Sequence, residues 1–401
     1  MAQGSRLRVL HAGLDWGYWG KLRPGCLRDP TQGQIAGGET AMLRAAESMA
    51  AGGCEVVVVT GCTPGRDSAT GVLYVNTLDF FAYVLDRGPW DAIGIWGDPD
   101  HFAELTSIGA LDRTLRVCAQ QCNGFTRPDG VQGFVDLYIS PSRSHAANLA
   151  RQHGIPIDRF RVIPNAVHPP RFHWDAPRVA ERVYIASSPD RGRHHLLDLW
   201  PEVKRQEPKA ELHVFYETRR WLAGCCGHYT TPIHPAIATR ARAVMRAHDD
   251  AHYGLDVHDH GAAPQQAIVD LACTAGVMAY PCDPICYTEG FATAVLEARC
   301  AGAVPVTTGA DALTELYADK AILVSQHRIR EDFAAAVVGA IREARAAKER
   351  GWLGWRFPDE KAAHAACERH SWAAVGEMWT ALVRTEIVAK REREEAGRVA
   401  A

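Results

Sequence analysis

Short apolar runs alternate with helix-like segments along the chain, and this alternation constrains the fold more than any other feature. In the first half, these runs are residues 7–10, 54–60, 92–95, 115–119 and 137–139. The second of them reads CEVVVVT, and such a continuous β-branched run is typical of a strand buried on both faces. Residues 40–51 are amphipathic and end at Gly52-Gly53, which predicts a helix with a glycine C-cap. The pattern therefore predicts an α/β fold with helices on both faces of a parallel sheet.

The alternation is interrupted once, in residues 166–180, which read AVHPPRFHWDAPRVA. It then restarts, with strand-like runs at residues 183–186, 211–216, 277–280 and 304–307. A chain of 401 residues also exceeds the roughly 250–300 residues at which single domains usually stop growing. We therefore expect one lobe in residues 1–170 and a second lobe in residues 178–370. Residues 217–250 show no clear period and are interpreted as a flap or an insertion.

Composition excludes several classes of protein. Lys plus Arg is 44 and Asp plus Glu is 47, and a net charge of -3 argues against a chain that mainly binds nucleic acid by electrostatics. No stretch approaches the roughly 18–20 apolar residues of a transmembrane segment. The N-terminus runs almost directly into a strand, which predicts no secretory signal. The 12 cysteines are scattered, which is typical of free thiols in a reducing compartment, so a cytoplasmic location is expected.

The strongest candidate site is residues 289–297, EGFATAVLE. The preceding loop, residues 281–288, would leave a strand at its carboxyl end, where open α/β sheets bind ligands. Eight residues are just over two helical turns, so Glu289 and Glu297 can face one side of a helix. Between them, the amides of Gly290, Phe291 and Ala292 would form a phosphate cradle at the helix N-terminus. Two carboxylates beside a phosphate site suit a nucleotide sugar, whereas the alternative is an ordinary helix with an acidic first turn.

This segment resembles the E-x7-E motif of family-4 retaining glycosyltransferases of the GT-B fold. The likeness extends over nearly the whole chain, and further matching segments are Gly37-Gly38-Glu39 and residues 139–144, 154–156, 162–165, 208–216 and 298–307. The resemblance implies two Rossmann-like, doubly wound lobes with an interlobe cleft. Ser371-Trp372 opens what looks like the family's terminal helix, so residues 371–401 would cross back to the N-terminal lobe and end in a charged tail.

The resemblance also implies roles for individual residues on the donor side. Glu289 would contact the hydroxyls of the donor sugar, and Glu297 would contact the ribose. In residues 186–192, ASSPDRG, Arg191 falls where the family has a lysine beside the donor diphosphate, although a surface arginine at a helix start is the alternative. The family's preceding arginine is replaced by Ser187 or Ser188, which removes one positive charge. Gly37 and Gly38 match the family's glycine-rich donor motif.

On the acceptor side the chain departs from the family. Many relatives carry a histidine after a strand of the first lobe, and Gln120 and Gln121 stand here instead. Glutamine cannot act as a general base at neutral pH. His101 is a candidate replacement, although a single histidine is more often structural. Asp98 and Asp100 form DPD, which is interpreted as a turn and not as a metal site.

The sequence therefore predicts a metal-independent, cofactor-free retaining glycosyltransferase of the hexosyltransferase type. Glu289 and Arg191 are the predicted catalytic residues, and the partner is a nucleotide-sugar donor. The acceptor stays open among a glycan, a lipid, a protein, a metabolite and a modified nucleic-acid base. The alternatives are a catalytically silent nucleotide-sugar-binding scaffold and another GT-B enzyme, such as a nucleotide-sugar epimerase or a sugar phosphorylase.

Overall fold

A computed structural model describes residues 6–14, 22–29, 35, 37–111, 113–121, 131–219, 235–250 and 255–400 of the chain. These residues form two compact units. The first unit is Met1–Ala166 together with His370–Ala401, and the second is Val167–Arg369. Each unit is built around its own sheet, so each is described by itself.

The first unit contains an eight-stranded sheet in the order β3-β4-β2-β1-β5-β6-β7-β8. Its strands are Arg8–Ala12 (β1), Glu55–Thr60 (β2), Gly65–Arg66 (β3), Leu73–Asn76 (β4), Ala92–Trp96 (β5), Leu115–Ala119 (β6), Leu137–Ser140 (β7) and Phe160–Val162 (β8). Every pair is parallel except β3 and β4. The β-branched run in β2 is buried, as a strand covered on both faces requires.

Helices cover this sheet. They are Gly37–Ala51, Phe80–Arg87, His101–Ser107, Arg143–His153 and the C-terminal helix Trp372–Ala400. The C-terminal helix buries a stripe of side chains at three- and four-residue spacing, namely Trp372, Val375, Trp379, Val383 and Ile387. A Cβ atom on Gly376 would overlap Ser48, so this glycine allows the C-terminal helix to approach the helix Gly37–Ala51 closely.

The centre of this packing is an aromatic group made of His11, Trp96 and Trp379. Trp379 stacks on Trp96 with ring centroids 5.4 Å apart, and its ring meets the His11 ring edge-on at 5.7 Å. The indole N–H of Trp96 donates to Nδ1 of His11 over 2.9 Å. Burial lowers the pKa of His11 to about 4, so the ring is neutral and its proton lies on Nε2. The C-terminal helix is therefore part of the core of the first unit.

The second unit contains six parallel strands in the order β11-β10-β9-β12-β13-β14. These are Val179–Ala186 (β9), Glu211–Phe215 (β10), Val257–Gly261 (β11), Ala275–Tyr280 (β12), Val304–Thr308 (β13) and Ile322–Val324 (β14). The helices are Arg193–Gln206, Pro235–Asp249, Gln265–Thr274, Thr293–Ala301, Leu313–Tyr317, Ile329–Glu349 and Glu360–Glu368. The strand order reverses between β9 and β12, which makes that pair the topological switch point.

Parts of the sequence predictions fall outside the described residues. This applies to residues 220–234 of the predicted flap, and the remainder of that segment includes the regular helix Pro235–Asp249. It also applies to residues 15–21, 30–34, 36 and 122–130. Over the part of the chain that the structure describes, no helix combines the length and the apolar character needed to cross a bilayer.

We predict that Trp379→Ala lowers the free energy of unfolding by about 3–5 kcal/mol, the usual cost of removing a large buried ring. Trp379 is 3% exposed, whereas its neighbour Met378 is 44% exposed. Met378→Ala is therefore the matched control and should change stability by less than about 0.5 kcal/mol. Urea unfolding gives the free energy of unfolding of both variants. If the two substitutions lower it equally, the aromatic group does not hold the C-terminal helix in place.

Candidate functional site

The candidate site lies at the carboxyl ends of β9 and β12, where the order of the second sheet reverses. The loop after β9 carries Arg191, and the loop after β12 carries Glu289. Ligands of open α/β sheets bind outside this switch point, because the loops on either side of it diverge. The topology thus brings together two residues that are 98 positions apart in the sequence.

The Glu289 carboxylate is buried, and three donors hold it. Nη1 of Arg191 donates to Oε2 over 2.7 Å, and the hydroxyl of Tyr280 donates to the same oxygen over 2.6 Å. The backbone N–H of Ala292 donates to Oε1 over 2.7 Å. Because the residue is only 5% exposed, this charge depends on its partners and not on water. The carboxylate holds the pKa of Arg191 well above its ordinary value.

The loop that carries Glu289 is fixed by its neighbours. The backbone N–H groups of Thr288 and Glu289 both donate to Oδ2 of Asp311, over 2.8 and 2.9 Å. The hydroxyl of Tyr317 donates to the carbonyls of Phe291 and Ala292, over 2.9 and 3.0 Å. These contacts orient the carboxylate before any ligand binds.

The helix after this loop begins at Thr293, and this corrects two expectations. Glu289 precedes the helix, so the interpretation of its spacing from Glu297 as two helical turns was wrong. The Ala292 amide was expected to bind phosphate, but it donates to Glu289 instead. Ala292 also adopts a left-handed conformation, with φ of 59°, which lets the loop turn sharply into the helix. Gly290 and Phe291 lie in the same loop, and the Phe291 side chain is buried.

The loop after β9 is held tightly against the loop after β12. Gly192 has φ of 104°, and a Cβ atom there would overlap the carbonyl oxygen of Pro281. A glycine is therefore required where the two loops cross. The next residue, Arg193, is fully buried, and its guanidinium donates to the Phe215 carbonyl and the Thr218 hydroxyl. Arg193 thus anchors the loop, while Arg191 extends from it.

Ser187 and Ser188 lie in this same loop. The hydroxyl of Ser188 donates to Asp190. The hydroxyl of Ser187 is buried and has no hydrogen-bond partner within the described part of the chain. Neither serine supplies a charge to this loop.

A second cation nevertheless lies beside the loop, and sequence reasoning missed it. Arg240, in the helix Pro235–Asp249, donates through Nη1 to the carbonyls of Asp190 and Asp283, over 2.8 and 2.5 Å. Its Nη2 donates to the Asp283 carboxylate over 2.9 Å, and Nε2 of His195 lies 2.8 Å from the same oxygen. Burial opposes ionisation of Asp283, but the His195 hydrogen bond and the charge of Arg240 lower its pKa to about 2.

Sequence could have identified Asp283 but not Arg240. Asp283 follows a predicted strand at its carboxyl end, the position where ligand-binding residues collect. Arg240 comes from a segment without a clear pattern, and 43 residues separate it from its partner. Only the folded chain shows that its helix packs against these loops.

Glu297 lies in the helix Thr293–Ala301 and has no cation in direct contact among the described residues. Nε2 of Gln265 donates to its Oε1 over 2.6 Å, and Arg171 donates to the oxygen of Gln265 over 2.5 Å. Burial raises the pKa of Glu297 to about 7, because an amide replaces the solvating water only in part. The two acids of the predicted pair therefore have different surroundings.

The remaining candidates belong to the first unit. Gly37 and Gly38 begin the helix Gly37–Ala51. Gln120 is buried after β6, and Oε1 of Gln121 accepts from the Asn165 amide over 2.9 Å. Nδ1 of His101 lies 2.8 Å from Oε2 of Glu104.

The surroundings of His101 are those of a packed side chain. Its ring contacts those of Phe80 and Phe81, with centroids 6.1 and 5.7 Å apart. Asp98 and Asp100 lie in the turn before the helix that carries His101. No contact described here assigns these first-unit residues to an acceptor site, so that assignment stays a prediction.

Comparison with known proteins shows the fold. No protein-family model and no curated protein sequence matches the chain. Among solved structures it is similar to AviGT4, a glycosyltransferase involved in avilamycin A biosynthesis, with a TM-score of 0.60 and 15% identity over 95% of this chain and 98% of that one. It is also similar to sucrose-phosphate synthase from Thermosynechococcus elongatus, with a TM-score of 0.63 and 15% identity over 96% and 100% of the two chains.

A third similar structure is a UDP-forming α,α-trehalose-phosphate synthase from Burkholderia vietnamiensis, with a TM-score of 0.60 and 10% identity over 96% of this chain and 100% of that one. The matches cover nearly the full length of both partners. The predicted fold class is therefore confirmed: the two sheets of parallel strands are those of the GT-B glycosyltransferase fold.

We predict that the Glu297 carboxyl makes stability depend on pH. Its pKa rises from an ordinary value of 4.5 to about 7, so between these values the folded chain binds more protons than the unfolded chain. The free energy of unfolding contributed by this group therefore falls as the pH rises through that window. Glu297→Gln removes the effect, so the variant should gain stability relative to the parent as the pH rises from 4.5 to about 7.

Urea unfolding at several pH values measures this difference. Glu368→Gln is a suitable control, because that side chain is exposed at the end of the helix Glu360–Glu368. If the free energies of unfolding of Glu297→Gln and the parent change equally between pH 4.5 and about 7, the Glu297 carboxyl does not titrate in that range.

Proposed function

We propose that the chain is a retaining glycosyltransferase that takes a sugar from a nucleotide-sugar donor. The observation that carries the proposal is the ion pair between the partly exposed Arg191 and the buried Glu289 at the switch point of the second sheet. A carboxylate for sugar hydroxyls and a guanidinium for a diphosphate lie side by side, where the fold binds ligands. The names of the solved neighbours support transfer of a sugar in general, and one of them is called UDP-forming.

The exposure of the two side chains indicates which part of the donor each would bind. Arg191 is 30% exposed at its side chain, whereas Glu289 is 7% exposed. The guanidinium can therefore reach a phosphate at the surface of the loop while it remains near Glu289. Its fork geometry allows bidentate contact with phosphate oxygens. Glu289, held by Tyr280 and Ala292, keeps its orientation and accepts hydrogen bonds from sugar hydroxyls.

The proposed reaction is a front-face substitution with retention of configuration. The bond between the anomeric carbon and the leaving phosphate oxygen breaks, and a bond to the acceptor hydroxyl oxygen forms on the same face. The acceptor's proton passes to the departing phosphate oxygen, so no protein base is required. Arg191 stabilises the charge that develops on the leaving group, with Arg240 close behind the same loop.

Glu297 is proposed to bind the ribose hydroxyls of the nucleotide. With a pKa of about 7, its carboxyl is partly protonated near neutrality and can both donate and accept hydrogen bonds. Glu297 would therefore bind the nucleoside whether or not a diphosphate is attached to it. We propose that the reaction also needs no metal ion, because protein cations meet the diphosphate charge.

A thermal-shift panel of UDP-, GDP-, ADP- and dTDP-sugars tests the donor class. A ligand that binds only the native state raises the apparent melting temperature. At a ligand concentration of a hundred times the Kd, it raises the free energy of unfolding by about 2.7 kcal/mol. The panel is run in EDTA, where a shift is still expected. A panel without any shift, in EDTA and with added Mg²⁺ alike, would remove nucleotide sugars as ligands.

We predict that Glu289→Gln slows sugar transfer, or slow donor hydrolysis without an acceptor, by about a hundredfold or more. The amide keeps the size of the side chain but lacks the charge and the acceptor strength. Turnover and the anomeric configuration of the product are measured, with Glu368→Gln as control. Full turnover in Glu289→Gln would show that the carboxylate has no catalytic role, and an inverted product would contradict the proposed stereochemistry.

We predict that Arg191→Ala weakens binding of the nucleoside diphosphate by about 1.5–3 kcal/mol, the range for charge-assisted hydrogen bonds. Binding of the bare nucleoside should barely change, because Arg191 has no proposed contact with it. Calorimetry on both ligands gives the two affinities. Arg246→Ala is the control, since Arg246 is 58% exposed and pairs with Asp198 on the surface. An equal loss for both ligands would mean that Arg191 only holds the loop in place.

A further inference from the structure

Four side chains with metal-ligand chemistry lie on one face of the outer strands of the second sheet. Glu211 and His213 lie on β10, and His258 and His260 lie on the edge strand β11. Residues two apart in a strand face the same side, and His213 pairs with His258 across the two strands. The ring of His213 lies between those of its two neighbours, with centroids 4.8 Å from His258 and 5.1 Å from His260.

Three of these residues bring their ligand atoms close together. A carboxylate oxygen of Glu211 and one ring nitrogen from each of His213 and His258 all lie within 4.8 Å of one another. Ligand atoms around a tetrahedral Zn²⁺ ion are about 3.3 Å apart, given bonds of about 2.0–2.1 Å. Nε2 of His213 lies 3.5 Å from the Glu211 carboxylate at Oε1, so the spacing of these two side chains is already close to that of two zinc ligands.

The fourth residue fixes the orientation of the central ring. Nδ1 of His213 lies 2.8 Å from Nε2 of His260, so one ring donates an N–H to the other. Nε2 of His213 is buried and makes no hydrogen bond among the described residues. When His213 is the donor, its Nε2 directs a lone pair toward the Glu211 carboxylate. A cation between these two electron-rich atoms would satisfy both of them.

The hydrogen bond between the rings of His213 and His260 matches the surroundings of a metal-bound histidine. Metal-bound histidines commonly donate their second N–H to a neighbouring group, as His213 can do to His260.

A nearby arginine does not block the carboxylate. Nε of Arg182 donates to Oε1 of Glu211 over 2.5 Å, and the described contacts of Glu211 all use that oxygen. The second oxygen remains for a ligand bond. His258 and His260 are exposed, so an ion can reach the face from solvent.

A second group, His194, His195 and Asp283, has similar spacing but a different environment. Both oxygens of the Asp283 carboxylate are already used, one by Arg240 and His195 and the other by Gln326. This group is therefore better explained as part of the framework of the candidate donor site.

We propose that Glu211, His213 and His258 bind one divalent transition-metal ion, with Zn²⁺ the best match, and that His260 orients His213 as a ligand. Two imidazoles and a carboxylate are typical zinc ligands, and they leave a fourth position for water. The ion would join β10 to the edge strand β11. The proposal shares no residue with the Arg191–Glu289 pair and is independent of the proposed reaction.

Metal analysis of the full-length chain tests this proposal. The protein is stripped with a chelator, given Zn²⁺ and dialysed, and bound zinc is then counted. One ion per chain is expected in the parent and in His327→Asn, an exposed histidine elsewhere in the second unit. His258→Asn and Glu211→Gln should lose the ion. Replacement with Co²⁺ should give the visible absorption of a tetrahedral site with nitrogen and oxygen ligands, a readout that does not depend on activity.

Graded variants separate the roles of the four residues. His260→Ala should retain the site but weaken zinc binding by about 10–100-fold, the effect of removing a partner that orients a ligand. Because the His258 side chain is exposed, His258→Asn should leave the fold intact, and circular dichroism checks this. Two results would overturn the proposal: no zinc retained by the parent, or zinc retained by His258→Asn and lost by His195→Asn, which would place the ion at the other group.

Discussion

The buried charge of Glu289 is the constraint on which the rest of the candidate site depends. A carboxylate that is 5% exposed cannot rely on water, so the chain must supply a cation and hydrogen-bond donors. Arg191, Tyr280 and the Ala292 amide supply them. These partners explain two features that look unrelated in the sequence: a left-handed alanine before a helix, and a tyrosine at the end of a buried strand.

The two acids of the predicted pair show how surroundings separate the roles of chemically identical groups. Glu289 has a guanidinium at 2.7 Å, whereas the closest polar partner of Glu297 is the neutral amide of Gln265 at 2.6 Å. Burial without a paired cation raises the pKa of Glu297 to about 7. Glu297 can therefore exchange a proton near neutrality, whereas Glu289 is held in an ion pair. In the proposed reaction, Glu289 binds the sugar and Glu297 binds the ribose.

The elements with the strongest patterns were the ones that sequence predicted best. The buried runs of β2 and β12 are continuous and apolar, and such runs identify strands without knowledge of their neighbours. The stretch from 217 to 250 has no such pattern, yet it contains the helix Pro235–Asp249 and the missed cation Arg240. The start of the helix after Glu289 was also misplaced, because Asp311, Tyr317 and the Glu289 carboxylate itself fix the loop amides and carbonyls.

Sequence patterns predicted most of the long buried strands, the restart of the pattern in a second lobe and the two residues at the centre of the candidate site. Local periodicity and motif order are enough for this, since both are written in neighbouring residues. The folded chain was needed to show that Arg191 pairs with Glu289, that Arg240 lies behind the same loop, and that three histidines of β10 and β11 share a face. These contacts join residues tens of positions apart, and they form because strand order, strand register and helix packing bring those residues together. A periodic pattern within one segment carries no information about which distant segment that segment will contact.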